Sequence, residues 1–173
     1  MTISQVESPS QILSVQELLR EYTTWALTLS AESKGAPTFH GLEEELAGLP
    51  GVYAPPAGRL LLAIHDGLPA GCIALKPHDP ATAELKRVYV RPSFRGLKIG
   101  QQLIASAVGA AREVGYRRLV LDSHASMTKA HALYEEAGFR RVGAPADFPE
   151  ALKPIVVFME MDLEPEDAGR SGD

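Results

Sequence analysis

Residues 84–102 read ELKRVYVRPSFRGLKIGQQ and join a β-rich run to a long segment with helical periodicity. The run stops at Pro92, and a turn that carries Gly96 and Gly100 precedes the helical pattern. A strand, a tight loop and a helix in this order aim unpaired backbone N–H groups at one point, where the helix dipole and Arg95 add positive potential. The stretch therefore predicts a site for a phosphorylated ligand.

Two common phosphate-binding patterns do not fit this loop. A Walker loop needs Gly-Lys-Ser/Thr, but Gly100 is followed by Gln101 and Gln102, and the dinucleotide pattern G-x-G-x-x-G is absent. The stretch instead resembles the Arg/Gln-x-x-Gly-x-Gly/Ala signature of the GNAT superfamily of acyl-CoA-dependent N-acyltransferases, preceded by Tyr89-Val90-Arg91-Pro92. The similarity continues through Leu133–Phe139, which looks like the family's final helix and turn. It covers roughly residues 60 to 163.

Lys98 departs from the family signature, because it stands where the pattern has its first glycine. If the position requires a positive φ, a lysine there costs about 1–2 kcal/mol. If it does not, Lys98 is a cation beside the phosphates. We favour the second interpretation, in which the site has no need of a positive φ.

Composition narrows the class of protein. A chain of 173 residues is most simply one domain, and we expect it to span 1–163, with a disordered polar tail at 164–173. A net charge of −5 argues against nonspecific binding to nucleic acid or anionic membranes. No apolar run approaches the roughly 18 residues that span a membrane, and no targeting segment is evident. We therefore expect a cytoplasmic protein.

Cysteine and histidine usage bears on disulfides and metal sites. Cys72 is the single cysteine, which excludes an internal disulfide and fits a reducing compartment. It lies in an apolar run typical of a buried strand, so we do not expect it to be a nucleophile. The five histidines lack ligand spacing beside matched carboxylates, and we predict no metal site.

Apolar periodicity predicts alternating strands and helices along the chain. Asp66-Gly67 between two apolar runs is a strong hairpin signal. The predicted strands are residues 2–7, Arg59–His65, Ala70–Pro77, Ala83–Val90, Arg118–Asp122 and Ile155–Leu163. The predicted helices are a segment of about 20 residues capped by Ser8 or Ser10, then His40–Leu49, Gly100–Val114 and Lys129–Ala137, with a loop at Ser30–Thr38.

These elements give a mixed α+β fold around one sheet. The GNAT resemblance implies a central twisted, largely antiparallel sheet of six or seven strands flanked by about four helices. It also implies that the sheet is splayed between strand four, Ala83–Val90, and strand five, Arg118–Asp122. Acyl-CoA would enter the resulting V-shaped opening.

The resemblance also assigns cofactor contacts. The pantetheine arm would pair with the free edges of Val88 and Val90, and a backbone N–H near Val90 would polarise the thioester carbonyl. The pyrophosphate would lie on the Arg95–Gly100 loop. A family asparagine that contacts the arm is replaced by Met127, so Ser126 or a backbone group would take its place. The predicted cofactor-binding residues are Val88, Tyr89, Val90, Arg95, Gly96, Leu97, Lys98, Ile99, Gly100, Gln101, Ser126 and Tyr134.

Two residues are the candidates for proton transfer. By resemblance Tyr134 is the general acid, because a phenol near pKa 10 is well matched to a departing thiolate; the alternative is a tyrosine that only packs on the cofactor. Glu84 resembles the glutamate base of some members; the alternative is a solvated strand end. A straight strand would put Glu84 about 20 Å from Val90, so this role needs a bulge, a water chain or a long acceptor. Asp122, His124 and His131 are the fallback bases.

The function that follows is acetyl transfer from acetyl-CoA to a primary amine of a small molecule, by direct attack in a ternary complex. A noncatalytic acyl-CoA-binding module and a protein N-acetyltransferase remain alternatives. The acceptor pocket is predicted between about Ala31 and Pro56 and around Ala144–Pro154. We expect no nucleic-acid or membrane partner, and a homodimer is left open.

Overall fold

The computed structural model of the protein describes residues 1–28 and 41–163. The predicted loop at Ser30–Thr38, the predicted helix start at His40 and the predicted tail from Glu164 onward lie outside these residues. The strands of the described part are β1 Thr2–Gln5, β2 Arg59–His65, β3 Leu68–Pro77, β4 Thr82–Val90, β5 Arg118–His124, β6 Arg140–Val142 and β7 Val156–Asp162. Its α-helices are α1 Pro9–Ala26, α2 Leu42–Ala47, α3 Ile99–Val114 and α4 Thr128–Ala137. Short 3₁₀ segments are Gly51–Tyr53, Pro92–Phe94 and Glu150–Ile155.

The seven strands form one sheet in the order β1-β2-β3-β4-β5-β7-β6. Neighbouring strands run antiparallel except β4 and β5, which are parallel. These two strands pair only over Thr82–Glu84 and Arg118–Val120 and then separate. The prediction of a largely antiparallel α+β sheet, splayed between strands four and five, is confirmed.

Helices cover both faces of the sheet. On one face, which we call the α1 face, α1 and α2 bury residues such as Leu18 and Leu46 against Leu60, Leu62 and Cys72. On the opposite face, the α3 face, the apolar sides of α3 and α4 pack on a second core that is made of alternate residues of the same strands. Alternation along the strands therefore divides the apolar residues between two cores.

Local sequence signals explain where the helices begin and end. Ser8 caps α1, and its side chain accepts a hydrogen bond from the Gln11 amide while the Gln11 side chain returns to the Ser8 amide. This selects Ser8 from the two predicted caps. Gly115 and Gly138 end α3 and α4 in the left-handed conformation, as predicted for residues that follow a helix. Of the described helices, none is long and apolar enough to cross a membrane.

A β-bulge interrupts β4 at Arg87, which has a φ of 58°. The pairing of β3 with β4 shifts register between Cys72 and Ala74, opposite this residue. Because the extra residue breaks the alternation, the consecutive side chains of Lys86 and Arg87 both lie on the α1 face, where they line the same cavity. Three residues beyond the bulge, Gly71 packs closely on β4, since a Cβ on Gly71 would lie 2.5 Å from the Tyr89 carbonyl oxygen.

Two features of the sheet differ from the prediction. The three-residue strand β6 was not predicted, because two of its residues, Arg140 and Arg141, are exposed and carry no apolar alternation. Strand β5 extends two residues beyond the predicted Asp122, through Ser123 and His124, because β7 pairs with it over its full length. The predicted burial of Cys72 is confirmed, and burial raises the pKa of its thiol to about 12.

Candidate active site

Two cavities meet where β4 and β5 separate. The first, of about 640 Å³, is lined by β4, by the loop and helix start at 94–101 and by α4; we call it the loop cavity. The second, of about 830 Å³, lies on the α1 face over β4, β5 and β7; we call it the sheet cavity. The residues that line both are Tyr22, Lys86, Arg87, Asp122, Ser123 and Met127. The two cavities therefore share a wall where the strands separate.

The start of α3 offers unpaired amides to the loop cavity. The first intrahelical hydrogen bond runs from the Gln102 amide to the Lys98 carbonyl at 3.1 Å. The amides of Ile99, Gly100 and Gln101 precede this bond, so they have no acceptor within the helix. All three residues line the loop cavity. Together with the dipole of a 16-residue helix, they form a site suited to a phosphate group.

The conformation of Lys98 corrects the interpretation that we favoured from the sequence. Lys98 is the residue before α3 and has a φ of 59°, so the site does require the left-handed conformation that the family's glycine adopts without strain. A non-glycine residue pays about 1–2 kcal/mol for it. Lys98 nevertheless lines the loop cavity, so this strained residue also places a cation at the helix start.

Arg95 is held at the mouth of the loop cavity by two contacts. Its Nε donates to the Val90 carbonyl at 3.1 Å, and its guanidinium lies 5.4 Å from the centre of the Trp25 ring. The rest of the predicted loop, except Leu97, also lines the cavity; the Leu97 side chain is 47% exposed and lies outside the lining. The predicted Gln101 is in the lining and donates to Glu136 at 3.0 Å.

The edge of β4 beyond the splay faces the loop cavity. The Arg91 amide donates to the Ala70 carbonyl of the β3 side at 2.9 Å. Because N–H directions alternate along a strand, the amides of Val88 and Val90 point away from β3, into the opening. Val88, Tyr89 and Val90 all line the loop cavity. The structure therefore brings the predicted strand edge beside the predicted phosphate loop.

Tyr134 lies on α4 at the inner wall of the loop cavity. It is 6% exposed, and its ring packs edge-on against Phe139 with centroids 5.9 Å apart. Burial raises the pKa of Tyr134 above its ordinary value of 10.0, and the nearby Tyr22 and Asp122 raise it further. The phenol therefore keeps its proton at neutral pH, but the same shift makes it a weaker acid than the phenol of ordinary pKa on which the predicted match to a thiolate rests.

Two of the other predicted residues, Ser126 after β5 and His131 on α4, contact side chains at the end of β5. Ser126 lines the loop cavity, and its hydroxyl lies 2.7 Å from His124 Nδ1. His131 is buried and contacts the Ser123 hydroxyl at 3.1 Å. Burial lowers the pKa of His131, as does the charge of Arg141, so its ring is neutral at neutral pH. His131 lies outside the lining of both cavities, which makes it a poor fallback base.

The sheet cavity occupies the place predicted for the acceptor. Its walls come from residues 44–53 and from Pro145, Phe148 and Leu152, which fall within the two predicted regions. The part of the first region at 31–40 lies outside the described residues. Its floor is formed by the side chains of β4, β5 and β7 that point to the α1 face.

Charges of alternating sign cross the floor of the sheet cavity. Glu84 lies 3.6 Å from the Lys76 ammonium and 3.2 Å from the Lys86 ammonium, and Lys86 lies 3.9 Å from Asp122. The Glu84 side chain is 16% exposed, so it is not a solvated strand end. Glu84 lines the sheet cavity only, whereas Asp122 lines both cavities. A bulge, one of the three features that could support a role for Glu84, is present at Arg87.

One buried cluster in the wall was missed by sequence reasoning. Arg87, 7% exposed, binds Glu45 of α2 through two hydrogen bonds, Nη2 to Oε2 at 2.5 Å and Nε to Oε1 at 3.2 Å. The Tyr53 hydroxyl also donates to Glu45. Burial would raise the pKa of Glu45, but these hydrogen bonds outweigh it and hold the pKa below its ordinary value of 4.5. The sequence signal for this cluster is Lys86-Arg87. A regular strand would place these two adjacent charged side chains on opposite faces.

The sequence also matches a known family over most of its length. Residues 14–139 match the model of the Acetyltransferase (GNAT) family. The chain belongs to the GNAT acetyltransferase family. The resemblance seen in the loop and the final helix is thereby confirmed, and it extends in the N-terminal direction to Ser14, within α1.

Relatives of this GNAT protein are named as N-acetyltransferases. An uncharacterized N-acetyltransferase of Schizosaccharomyces pombe is 32% identical over 166 residues, covering 94% of this chain and 95% of the relative. N-acetylaspartate synthetase of Danio rerio is 34% identical over 109 residues, covering 62% of this chain and 39% of the relative. The crystal structure of PaiA N-acetyltransferase from Thermoplasma acidophilum, in complex with coenzyme A, superimposes with a TM-score of 0.72. It is 22% identical, with 94% of this chain and all of that chain covered, which shows the shared fold.

Proposed function

We propose that this GNAT protein transfers the acetyl group of acetyl-CoA to the primary amine of a small molecule, by direct attack in a ternary complex. The observation that carries the proposal is the meeting of the two cavities at the splay of β4 and β5. One cavity has a phosphate-binding helix start and a free strand edge, and the other has a charged floor. We further propose that residues 1–163 form a single acetyltransferase domain.

Acetyl-CoA fits the loop cavity group by group. The amides at the start of α3 would bind the pyrophosphate, with Arg95 and Lys98 supplying positive charge. The outward amides of Val88 and Val90 would hydrogen-bond the pantetheine arm in the manner of an added strand. The Thermoplasma acidophilum relative of the same fold was solved with coenzyme A, which supports the assignment.

The chemistry is divided among residues near the splay. An outward amide of β4 would polarise the thioester carbonyl while the neutral amine attacks the carbonyl carbon. As the new C–N bond forms and the C–S bond breaks, Glu84 would accept the amine proton through water. Tyr134, which lines the loop cavity, would give its proton to the leaving thiolate. Acetylated amine and free CoA are the products, and solvent returns the proton to Tyr134.

A small-molecule acceptor is favoured by the size of the sheet cavity. Its volume of about 830 Å³ lies in the range of small-ligand sites, and it is bounded by walls from α2 and from residues 145–155. The relative named N-acetylaspartate synthetase has a small-molecule product in its name. This relative matches only 62% of the chain. Its name therefore supports a small acceptor but does not identify that acceptor.

Thiol release in the presence of amines tests the proposal. The protein is mixed with acetyl-CoA and a broad panel of primary amines, and free CoA is followed with a thiol reagent while acetylated amine is identified by mass spectrometry. We expect equal amounts of both products with at least one amine. Binding of acetyl-CoA without turnover on any amine or peptide would indicate a noncatalytic binding module. Turnover on peptides alone would indicate a protein N-acetyltransferase.

A further inference from the structure

A carboxylate and an aromatic ring lie side by side on the floor of the sheet cavity. Asp122 of β5 and Phe158 of β7 are register partners, and both side chains line this cavity. Directly paired residues on one face of a sheet have Cβ atoms about 4.5–5.5 Å apart. A chain of one or two carbon atoms would therefore reach from a group bound to the Asp122 carboxylate to the Phe158 ring.

Phe158 continues into an apolar wall. The Phe148 ring packs edge-on against it, with centroids 4.8 Å apart and an interplanar angle of 82°. Neither ring belongs to the two cores of the fold, and both are partly exposed at the cavity. Leu152 and Pro145 extend the same wall. This end of the cavity is thus an apolar surface that the packing of the sheet does not use.

The other charged side chains of the floor disfavour a second ammonium group there; the wall adds Glu44, which is exposed, and Glu45, which is paired with Arg87. Lys86 flanks Asp122 on the side opposite Phe158, and Lys76 and Arg118 lie farther along the floor. The carboxylates of the floor other than Asp122 already contact at least two cations within the protein: Glu84 contacts Lys76 and Lys86, and Glu160 contacts Arg118 and Arg140. A second or third ammonium group of an acceptor would meet these cations.

We infer that the acceptor is a monoamine with an aromatic or branched apolar body one to three carbons from its nitrogen. Its ammonium approaches Asp122 at the junction of the two cavities and loses one proton to water, which gives the neutral amine that attacks. Its body lies against Phe158 and Phe148. This assignment rests on the proposed acetyl transfer and specifies its acceptor. Asp122 is then a residue that binds the amine, and the two rings set the preference for its body.

A matched panel of amines tests the acceptor class in the wild-type protein. The probes are phenethylamine, ethanolamine, spermidine and aspartate, each at saturating acetyl-CoA. Burying a phenyl group in place of a hydroxyl predicts a kcat/KM for phenethylamine about 10–100 times that for ethanolamine. Spermidine and aspartate should be no better than ethanolamine. Equal or higher kcat/KM for any of the three polar amines would overturn the inference.

Variants of the cavity wall and floor show which residues set the preference for an apolar amine. Phe148→Ala should lower kcat/KM for phenethylamine about tenfold and leave that for ethanolamine unchanged, and Phe148→Leu should restore much of the loss. Leu68→Ala is the control, since Leu68 is 56% exposed and lies outside the lining of both cavities. Asp122→Asn should raise KM for phenethylamine about tenfold. Equal loss on both amines in Phe148→Ala, or an unchanged KM in Asp122→Asn, would overturn the inference.

Failure of the inference is distinguishable from failure of the proposed function. Calorimetry with acetyl-CoA alone reports whether the loop cavity binds its ligand, whatever the acceptor. Binding and turnover with a preference for polar amines would overturn the acceptor class only. Absence of binding and of turnover on every amine would overturn the proposed function and the inference with it.

Discussion

The Lys86 ammonium lies 3.9 Å from the Asp122 carboxylate, across the point where β4 and β5 separate. The last backbone pair between these strands is Glu84 with Val120, two residues earlier on each strand. A side-chain ion pair therefore stands two positions beyond the last backbone pair. Both residues line both cavities, so an acyl donor from one side and an amine from the other would meet beside them.

Glu84→Gln tests the predicted base. It removes the carboxylate at nearly constant size, and kcat should fall by about 10²-fold with little change in KM for the amine. Glu160→Gln is the matched control, because Glu160 lies on the same floor but on β7. A change in KM alone, relaxed by added salt, would make Glu84 an attractor of cationic amines. Unaltered kinetics in Glu84→Gln would rule out Glu84 both as a base and as an attractor of cationic amines.

Tyr134→Phe tests the predicted acid. The ring and its packing on Phe139 remain, but no proton can be given to the thiolate, so kcat should fall about 10²-fold while KM for acetyl-CoA holds. Tyr116→Phe is the control, since the Tyr116 hydroxyl donates to the Ala57 carbonyl outside both cavities. The measurement requires conditions in which chemistry limits the rate. Retention of full kcat in Tyr134→Phe would show that Tyr134 only packs.

Lys98→Gly separates the strain at this residue from its charge. Glycine accepts the φ of 59° without strain, so the free energy of unfolding should rise by up to about 1 kcal/mol after the entropy cost of glycine. Affinity for acetyl-CoA should fall, and its dependence on salt should weaken, because a cation near the phosphates is lost. Lys98→Arg, with charge and strain retained, should behave like the wild type. Calorimetry that finds the same affinity in Lys98→Gly would contradict a role in phosphate binding.

Glu45→Gln tests the buried cluster of the cavity wall. Loss of the charge opposite Arg87 should lower the free energy of unfolding by about 3 kcal/mol, the low end for a buried pair because the Glu45 side chain is 23% exposed. The folded pKa of Glu45 lies below its ordinary 4.5, so the unfolded chain takes up this proton first as the pH falls. Wild-type stability should thus be complete above pH 4.5 and decline below it.

Urea unfolding from neutral to acidic pH measures this contribution. Glu45→Gln should show a smaller decline below pH 4.5 than the wild type, since it lacks the titrating group. Glu44→Gln, a change at the exposed neighbour, is the control and should follow the wild-type curve. Identical pH profiles in Glu45→Gln and the wild type would contradict the role assigned to the pair.

Most of the fold followed from local patterns, and the exceptions have physical reasons. Apolar alternation and helix-ending glycines placed most of the strands and helices within a few residues of their observed ends, because burial and backbone conformation are encoded locally there. Strand β6 has no such pattern, since its arginines are exposed and its pairing with β7 alone makes it a strand.

The candidate site was predictable where it depends on backbone order and not where it depends on long-range packing. The phosphate loop follows from glycine positions between a strand and a helix. The φ of Lys98 does not, because residue type favours an ordinary conformation and the loop overrides it. The pair of Glu45 with Arg87 joins residues 42 positions apart, and it depends on a bulge in a strand without glycine. The adjacency of Asp122 and Phe158 likewise appears only once β5 and β7 are paired.

A crystal structure of the protein with coenzyme A tests the central claim most directly, since the claim is that the opening between β4 and β5 is the acyl-donor site. We predict the pyrophosphate on the amides of Ile99, Gly100 and Gln101, with the pantetheine arm along Val88 and Val90. The thiol should lie between Tyr134 and Asp122. Coenzyme A bound away from this opening, or the arm lying outside it with the thiol remote from both residues, would contradict the account.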